Sequence, residues 1–349
     1  MKKTLILKID KKNIDLEKIK AAAKIINIGG TVAFPTETVY GLGADALNPE
    51  AVKKIFKAKN RPADNPIIVH VSDKKMVYKL TKKIPEKALK LMKKFWPGPL
   101  TLILKKSKIV PDIVTAGLNT VAIRMPKHRV AMTLIRKSGV PIAAPSANLA
   151  GKPSPTCAEH VIHDLNEKID VIIDAGRTRI GVESTVLDLT TKTPTLLRPG
   201  GTTLEDLESV IGKIRIHPIV KAEKEIKVIA KSPGMKYRHY APKAQVIVVE
   251  GNLNDVKRKI DELLDGYKKT GKRVGVMTVK KSHKYKTNVT YNVGKNLNEI
   301  AKNLFLILRK FDEKKVDIVV AEGVEERGLG LAIMNRLRKA AGYNVIKLA

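Results

Sequence analysis

The stretch "NPEAVKKIFKAKNRPADNPIIVHV", residues 48–71, joins a helix to a strand and decides the fold class. Asn48 is a capping residue, and Pro49 suits the first helical turn, where its missing N–H costs nothing. The spacing predicts a helix running to Lys59, with Pro62 as its stop. Lys57, Lys59 and Arg61 fall on alternate residues at its end, and Ile67-Ile68-Val69 then reads as a buried strand. Two readings of the charges stand side by side. They can cap a helix C-terminus, which the helix dipole favours, or they can form one wall of an anion site. A helix C-terminus repels anions, so a phosphate there would depend on side-chain charge.

Outward from this stretch, helical and strand-like segments alternate along the whole chain, the mark of an α/β protein. "LEKIKAAAKIINIGG" has helical apolar spacing and a Gly-Gly stop. "TVAFPT", "PLTLILKK" and "TVAIRMP" read as strands, "VPIAAPSAN" as a buried strand opening into a loop, and "DVIIDAG", "STVLDLT" and "TLLRPG" as short β segments. So many mid-chain strands predict an N-terminal domain, residues 1–211, with a mixed twisted sheet flanked by helices. Residues 212–243 are basic, hold three prolines and include "SPGMKYRHYAPK". They read as a linker, with Pro233, Gly234 and Pro242 bracketing a segment able to close as a lid. From 244 to 349 a regular βα alternation resumes, with "QVIVVEG", "KRVGVMTV" and "VDIVVAEG" as strands. That predicts a smaller C-terminal Rossmann-like domain with a parallel sheet.

The 349 residues hold no apolar run near the roughly 20 residues of a membrane span. Cys157 is the only cysteine, so neither an intrachain disulfide nor a Cys-based zinc site can form. A cytoplasmic, monomeric protein with no membrane partner is expected. The formal charge of +33 favours polyanionic partners, or else reflects a lysine-coated surface, since the basic residues spread along the whole chain. An RNA-binding module without turnover is therefore the alternative reading. Aromatic residues at 4% argue against base stacking.

The usual nucleotide loops are missing. No GxxxxGK[ST] occurs, and "GLGADA" (41–46) only imitates a dinucleotide fingerprint. "GLGLA" (328–332) can hold an anion at a helix N-terminus or serve close packing. What remains is a set of polar residues at strand ends: Thr36, Glu37, Thr38 and Tyr40; Lys59 and Arg61; Arg124 within an apolar strand; Ser146 and Asn148; Ser184; and Arg198. Arg124 must be paired, exposed or liganded, with Glu37 or Glu183 as candidate partners. Together these residues fit the rule that open α/β sheets bind ligands beyond their strand ends.

The run "FPTETVYGLGAD", the pairs Lys59-x-Arg61 and Ser146-x-Asn148, and "GVEST" with "LLRPG" resemble the YrdC-like family. The linker and appended domain are similar to its two-domain form, the threonylcarbamoyl-AMP synthases. Related hydrogenase-maturation carbamoyltransferases would need zinc-finger cysteines that this chain lacks. The resemblance implies that L-threonine, bicarbonate or CO2, and ATP with its Mg²⁺ yield threonylcarbamoyl-adenylate and pyrophosphate. A downstream transfer complex then carries the group to adenosine 37 of tRNAs reading ANN codons. It further implies that Lys59, Arg61, Ser146 and Asn148 bind the triphosphate and stabilise pyrophosphate departure. Thr120, Ser154, Arg198 and Tyr237 would complete the ATP site. Thr36, His70, Arg124, Ser184 and the backbone at Ala144 would hold threonine, though His70 also reads as a satisfied core histidine.

Overall fold

The computed structural model describes residues 3–224, 226, 239–279, 283–287 and 289–348. They form two compact units. The first holds 3–150 and 154–220, and the second holds 151–153, 221–224, 226 and 239–348. Much of the expected linker, including Pro233, Gly234 and Tyr237, lies outside the described residues.

The first unit contains, in chain order, β1 (Leu5–Lys8), α1 (Leu16–Asn27), β2 (Val32–Pro35), β3 (Tyr40–Asp45), α2 (Pro49–Lys59), β4 (Ile68–His70), α3 (Lys74–Leu80) and α4 (Glu86–Phe95). There follow β5 (Leu100–Lys105), α5 (Asp112–Thr115), β6 (Thr120–Arg124), α6 (Arg129–Ser138), β7 (Ile142–Ala143), α7 (Ala158–Leu165), β8 (Val171–Asp174), β9 (Thr185–Asp188), β10 (Thr195–Arg198), α8 (Leu204–Ile211) and β11 (Arg215–Ile216). Among the described residues the strands form one sheet ordered β1-β8-β2-β3-β7-β4-β6-β5-β9-β10-β11. It is mixed, as expected: β2 pairs parallel with β8 and antiparallel with β3. Helices α1 and α6 cover part of one face. Ile19, Ala22, Ala23 and Ile26 of α1 meet Val130, Ala131, Leu134 and Ile135 of α6 over Val32, Phe34, Ile142 and Val171.

Local chemistry explains most element ends. Asn48 accepts from the N–H groups of Glu50 (3.0 Å) and Ala51 (3.2 Å), so the predicted cap of α2 forms. The helix ends at Asn60, which adopts the left-handed conformation at φ 49°. Asn tolerates that region because its short polar side chain can bond locally. Pro62, expected to be the stop, only follows a turn already made. "GLGADA" supplies strand β3, not a phosphate loop. A Cβ on Gly43 would lie 2.6 Å from Ile142 Cγ2 and 2.7 Å from Phe34 Cε1, so the glycine lets layers touch. The segment "VPIAAPSAN" is, as expected, a buried strand that opens into a loop, and the strand is very short. Only Ile142–Ala143 ladders, while the next residues keep single contacts through Ala144 N to Ile68 O (2.9 Å) and a Gly41–Ser146 bridge.

The second unit is a parallel α/β layer. It contains β12 (Gln245–Glu250), α9 (Leu253–Lys269), β13 (Val274–Thr278), β14 (Val289–Asn292), α10 (Leu297–Glu313), β15 (Ile318–Glu322), α11 (Leu329–Ala340) and β16 (Val345–Lys347). The described strands run β14-β13-β15-β12-β16, every pair parallel. Val256, Ile260 and Leu264 of α9 pack on Val249, Val276 and Val320. On the other face, Gly275 makes room for Phe311, whose ring would sit 2.5 Å from an added Cβ. Sequence reading found three of these strands and missed edge strands β14 and β16. "GLGLA" begins α11, and Gly330 is required by packing: its Cβ would strike Glu325 O at 1.9 Å.

Candidate active site

Helix α2 delivers Lys59 into the first unit's interior. The residue is 2% exposed, and its ammonium donates to the backbone carbonyls of Ser146 and Asn148. Ala150 N returns a bond to Lys59 O at 2.9 Å. The Lys-x-Arg and Ser-x-Asn pairs, nearly ninety residues apart, are therefore one structure, with the lysine holding the loop that carries Ser146 and Asn148. Arg61 turns back on its own segment. Its Nη2 donates to Asn65 O (3.0 Å) and Pro66 O (3.3 Å), and its guanidinium lies 5.9 Å from the Phe56 ring centroid.

A second cluster forms where the β2–β3 hairpin loop meets β6. Arg124 is 3% exposed. Its Nε donates to Gly98 O (3.3 Å), its Nη1 to Thr38 Oγ1 (3.0 Å), and its Nη2 lies 2.8 Å from Glu37 Oε1. Of the two partners open on sequence, Glu37 is the one the fold brings to Arg124. Thr36 Oγ1 stands 2.9 Å from Thr38 Oγ1 and donates to Val39 O at 2.7 Å. His70 is the parallel partner of Arg124 across β4 and β6, and Thr101 its antiparallel partner on β5. Register partners share a sheet face, so His70, Arg124 and Thr101 form one row.

Burial and the Arg124 charge push His70 down to about 3, so its ring is neutral near pH 7. Its Nδ1 makes no aligned hydrogen bond among the described residues. The ring meets Phe34 edge-on at 6.1 Å.

The third cluster continues the row. Thr101 Oγ1 lies 2.8 Å from Ser184 Oγ. Arg198 donates from Nε to Ser184 O (3.0 Å) and from Nη2 to Ser184 Oγ (3.2 Å). Ser154 Oγ donates to Glu183 Oε1 at 2.6 Å. Ala144 lies beside Gly41, its Cβ 3.3 Å from where that glycine's would be. Thr120 stands apart from this row, four residues along β6 from Arg124 and so about 13 Å away. Tyr237 lies outside the described residues. Sequence reasoning did not single out Thr101, and it took Glu183 only as a candidate partner of Arg124. Thr101 is a hydroxyl inside the apolar strand "PLTLILKK", a detectable signal, whereas nothing in the sequence pairs Glu183 with Ser154.

Buried guanidinium and ammonium groups beside hydroxyls suit a site that binds anions and stabilises charge. Among the described residues no group of His, Cys, Asp and Glu could hold a metal ion.

Residues 24–200 match the family described as Telomere recombination, and residues 202–342 match the threonylcarbamoyl-AMP synthase C-terminal domain. The threonylcarbamoyl-AMP synthase of Pyrococcus abyssi is 57% identical over 99% of this chain and 100% of its own. That of Bacillus subtilis is 53% identical over 94% of each. The crystal structure of P. abyssi Sua5 complexed with L-threonine superposes with a TM-score of 0.95 at 56% identity, covering 99% of this chain and 100% of that one. The fold and site thus define a two-domain enzyme of the YrdC-like class. The chain belongs to the threonylcarbamoyl-AMP synthase family.

Proposed function

We propose that this protein is a nucleotidyltransferase that joins L-threonine, bicarbonate and ATP into L-threonylcarbamoyl-adenylate and releases pyrophosphate. The carrying observation is the buried Arg124 with Thr36 and Thr38 beside it, a guanidinium and hydroxyls fit for the carboxylate and hydroxyl of a small amino acid. The family membership and the threonine complex of a 56% identical structure support the same reading.

The chemistry divides into two steps. The threonine ammonium and bicarbonate give the N-carboxylate, one water and one proton. A carbamate oxygen then attacks the α-phosphorus, and the P–O bond to pyrophosphate breaks. The carbamate is already an anionic nucleophile, so no activated serine or cysteine is needed. The protein's task is positioning and charge stabilisation. Lys59, Arg61, Ser146 and Asn148 hold the triphosphate, with Thr120, Ser154, Arg198 and Tyr237 completing the nucleotide site. Lys59 contributes at least partly by shaping the 146–148 loop. Thr36, His70, Arg124, Ala144 and Ser184 hold threonine. Mg²⁺ arrives with ATP as part of the substrate. The product serves threonylcarbamoyl transfer to adenosine 37 of tRNAs reading ANN codons, through a separate complex.

Labelled bicarbonate, threonine and ATP, followed by chromatography, should yield a labelled adenylate and an equivalent of pyrophosphate. Pyrophosphate release that ignores threonine or bicarbonate would sink the reading. RNA binding that falls steeply with salt, with no turnover of ATP, would favour the basic RNA-binding module instead.

A further inference from the structure

Glu37 is 2% exposed inside the Arg124 cluster, yet the chemistry above gives it no task. Its Oε1 faces Arg124 Nη2 at 2.8 Å in an ion pair. Among the described residues neither carboxylate oxygen makes an aligned hydrogen bond, and neither does that Nη2. Buried polar atoms nearly always find partners, and exceptions call for an explanation such as a missing ligand. The backbone keeps the carboxylate from withdrawing: Ile180 N donates to Glu37 O (2.8 Å) and Gly181 N to Thr38 O (3.1 Å).

Beyond their ion pair, the anionic acceptor and the cationic donor stand side by side and buried, with hydrogen-bonding capacity left over. A simple anion would satisfy Arg124 and be repelled by Glu37. A simple cation would do the reverse. A zwitterion satisfies both, with its carboxylate on the guanidinium and its ammonium on the carboxylate.

We propose that Glu37 accepts the substrate's α-ammonium and so selects free α-amino acids over hydroxy acids of the same shape. This rests on the threonine reading of the site and adds a specificity residue to it. The attraction ends once the nitrogen is carboxylated, because the cation is then gone and a new anion faces Glu37. Substrate is held more firmly than the intermediate at this point, and the carbamate is free to move toward phosphorus.

The test is calorimetry on the full chain with L-threonine and with (2S,3R)-2,3-dihydroxybutanoate, in which a hydroxyl replaces the amine. Wild type is expected to prefer threonine by about 100-fold, and Glu37→Gln by about threefold or less, as befits loss of one buried charged contact. ATP affinity of the variant should stay within about twofold, because the nucleotide makes no call on this carboxylate. Glu37→Gln retaining the full preference would overturn the proposal. So would an equal weakening of both ligands, which would mean that Glu37 acts only by orienting Arg124. If Glu37→Gln does not fold, Glu37→Asp replaces it: the preference should shrink but persist, and equal loss of both ligands again overturns the idea. A wild-type protein that binds ATP but neither ligand would instead remove the threonine reading.

Discussion

Lys59 shows how a single residue can carry both fold and chemistry. Its ammonium is buried against two carbonyls that flank Ala147, so removing it strands those acceptors. Lys59→Met, which keeps the volume, should lower stability by about 1–3 kcal/mol through the orphaned carbonyls. It should also cut pyrophosphate release by about 100-fold or more through the displaced Ser146–Asn148 loop. Urea unfolding alongside turnover checks both. A variant as stable as wild type would show that the lysine spends little of its time on those carbonyls. Arg124 teaches a related lesson. Its presence in an apolar strand is visible in the sequence, and its need for a partner follows from burial. Which carboxylate it meets does not follow, because Glu37 and Arg124 are 87 residues apart and only the sheet order brings them together. Glu183, equally eligible on sequence, accepts from Ser154.

At the scale of elements, α2 is the part most legible beforehand. Asn48, Pro49 and the basic last turn are local signals, and local signals are what a sequence displays. Its end at Lys59 is as expected, but the residue that turns the chain is Asn60 and not Pro62: proline is a loud breaker, while a left-handed Asn is an ordinary residue in an unusual conformation. Asn60→Val should cost about 1–2 kcal/mol, and Asn60→Gly should be neutral or slightly stabilising. Equal melting temperatures for all three proteins would refute the left-handed cap. Strand β3 was obscured by its glycines, which weaken strand propensity but allow Phe34 and Ile142 to close over Gly43. Gly43→Ala should therefore destabilise by about 1–3 kcal/mol, read from the urea midpoint, with overpacking as the cause. Edge strands β14 and β16 of the second unit escaped notice because each is short and only partly buried. Their hydrophobic pattern is accordingly faint.

At the scale of the molecule, burial shapes the response to acid. His70 is pushed down to about 3 and His128 to about 4, chiefly by desolvation. Both are neutral in the folded state, whereas the unfolded chain protonates histidine near pH 6.5. The unfolded state thus binds more protons below that pH, and stability falls as the pH drops from about 6.5 toward the folded values. The fully buried His70 alone should impose a slope approaching about 1.4 kcal/mol per pH unit between pH 6 and 4. Urea midpoints across that range should show it, and His70→Asn should flatten the curve. An identical pH profile in the variant would place the sensitivity elsewhere. The mixed and parallel characters of the two sheets were both legible, since each follows from the rhythm of elements along the chain. The order of strands within the larger sheet was not, because it depends on pairings between distant segments.

One of those pairings governs how the chain can be made. Strand β1 pairs with β8, Leu5 opposite Val171, and β8 also supplies the outer neighbour of β2. A ribosome adding about 5–20 residues per second therefore releases the first strands on the order of ten seconds before their partner exists. During that interval the β2–β3 hairpin has an open edge and β1 has no neighbour at all. Ribosome-bound chains arrested shortly before β8 emerges should be protease-sensitive in β1, and chains arrested well beyond it should be resistant there. Strand β1, made ahead of β2 to β7, can take its place in the sheet only after all of them have been synthesised.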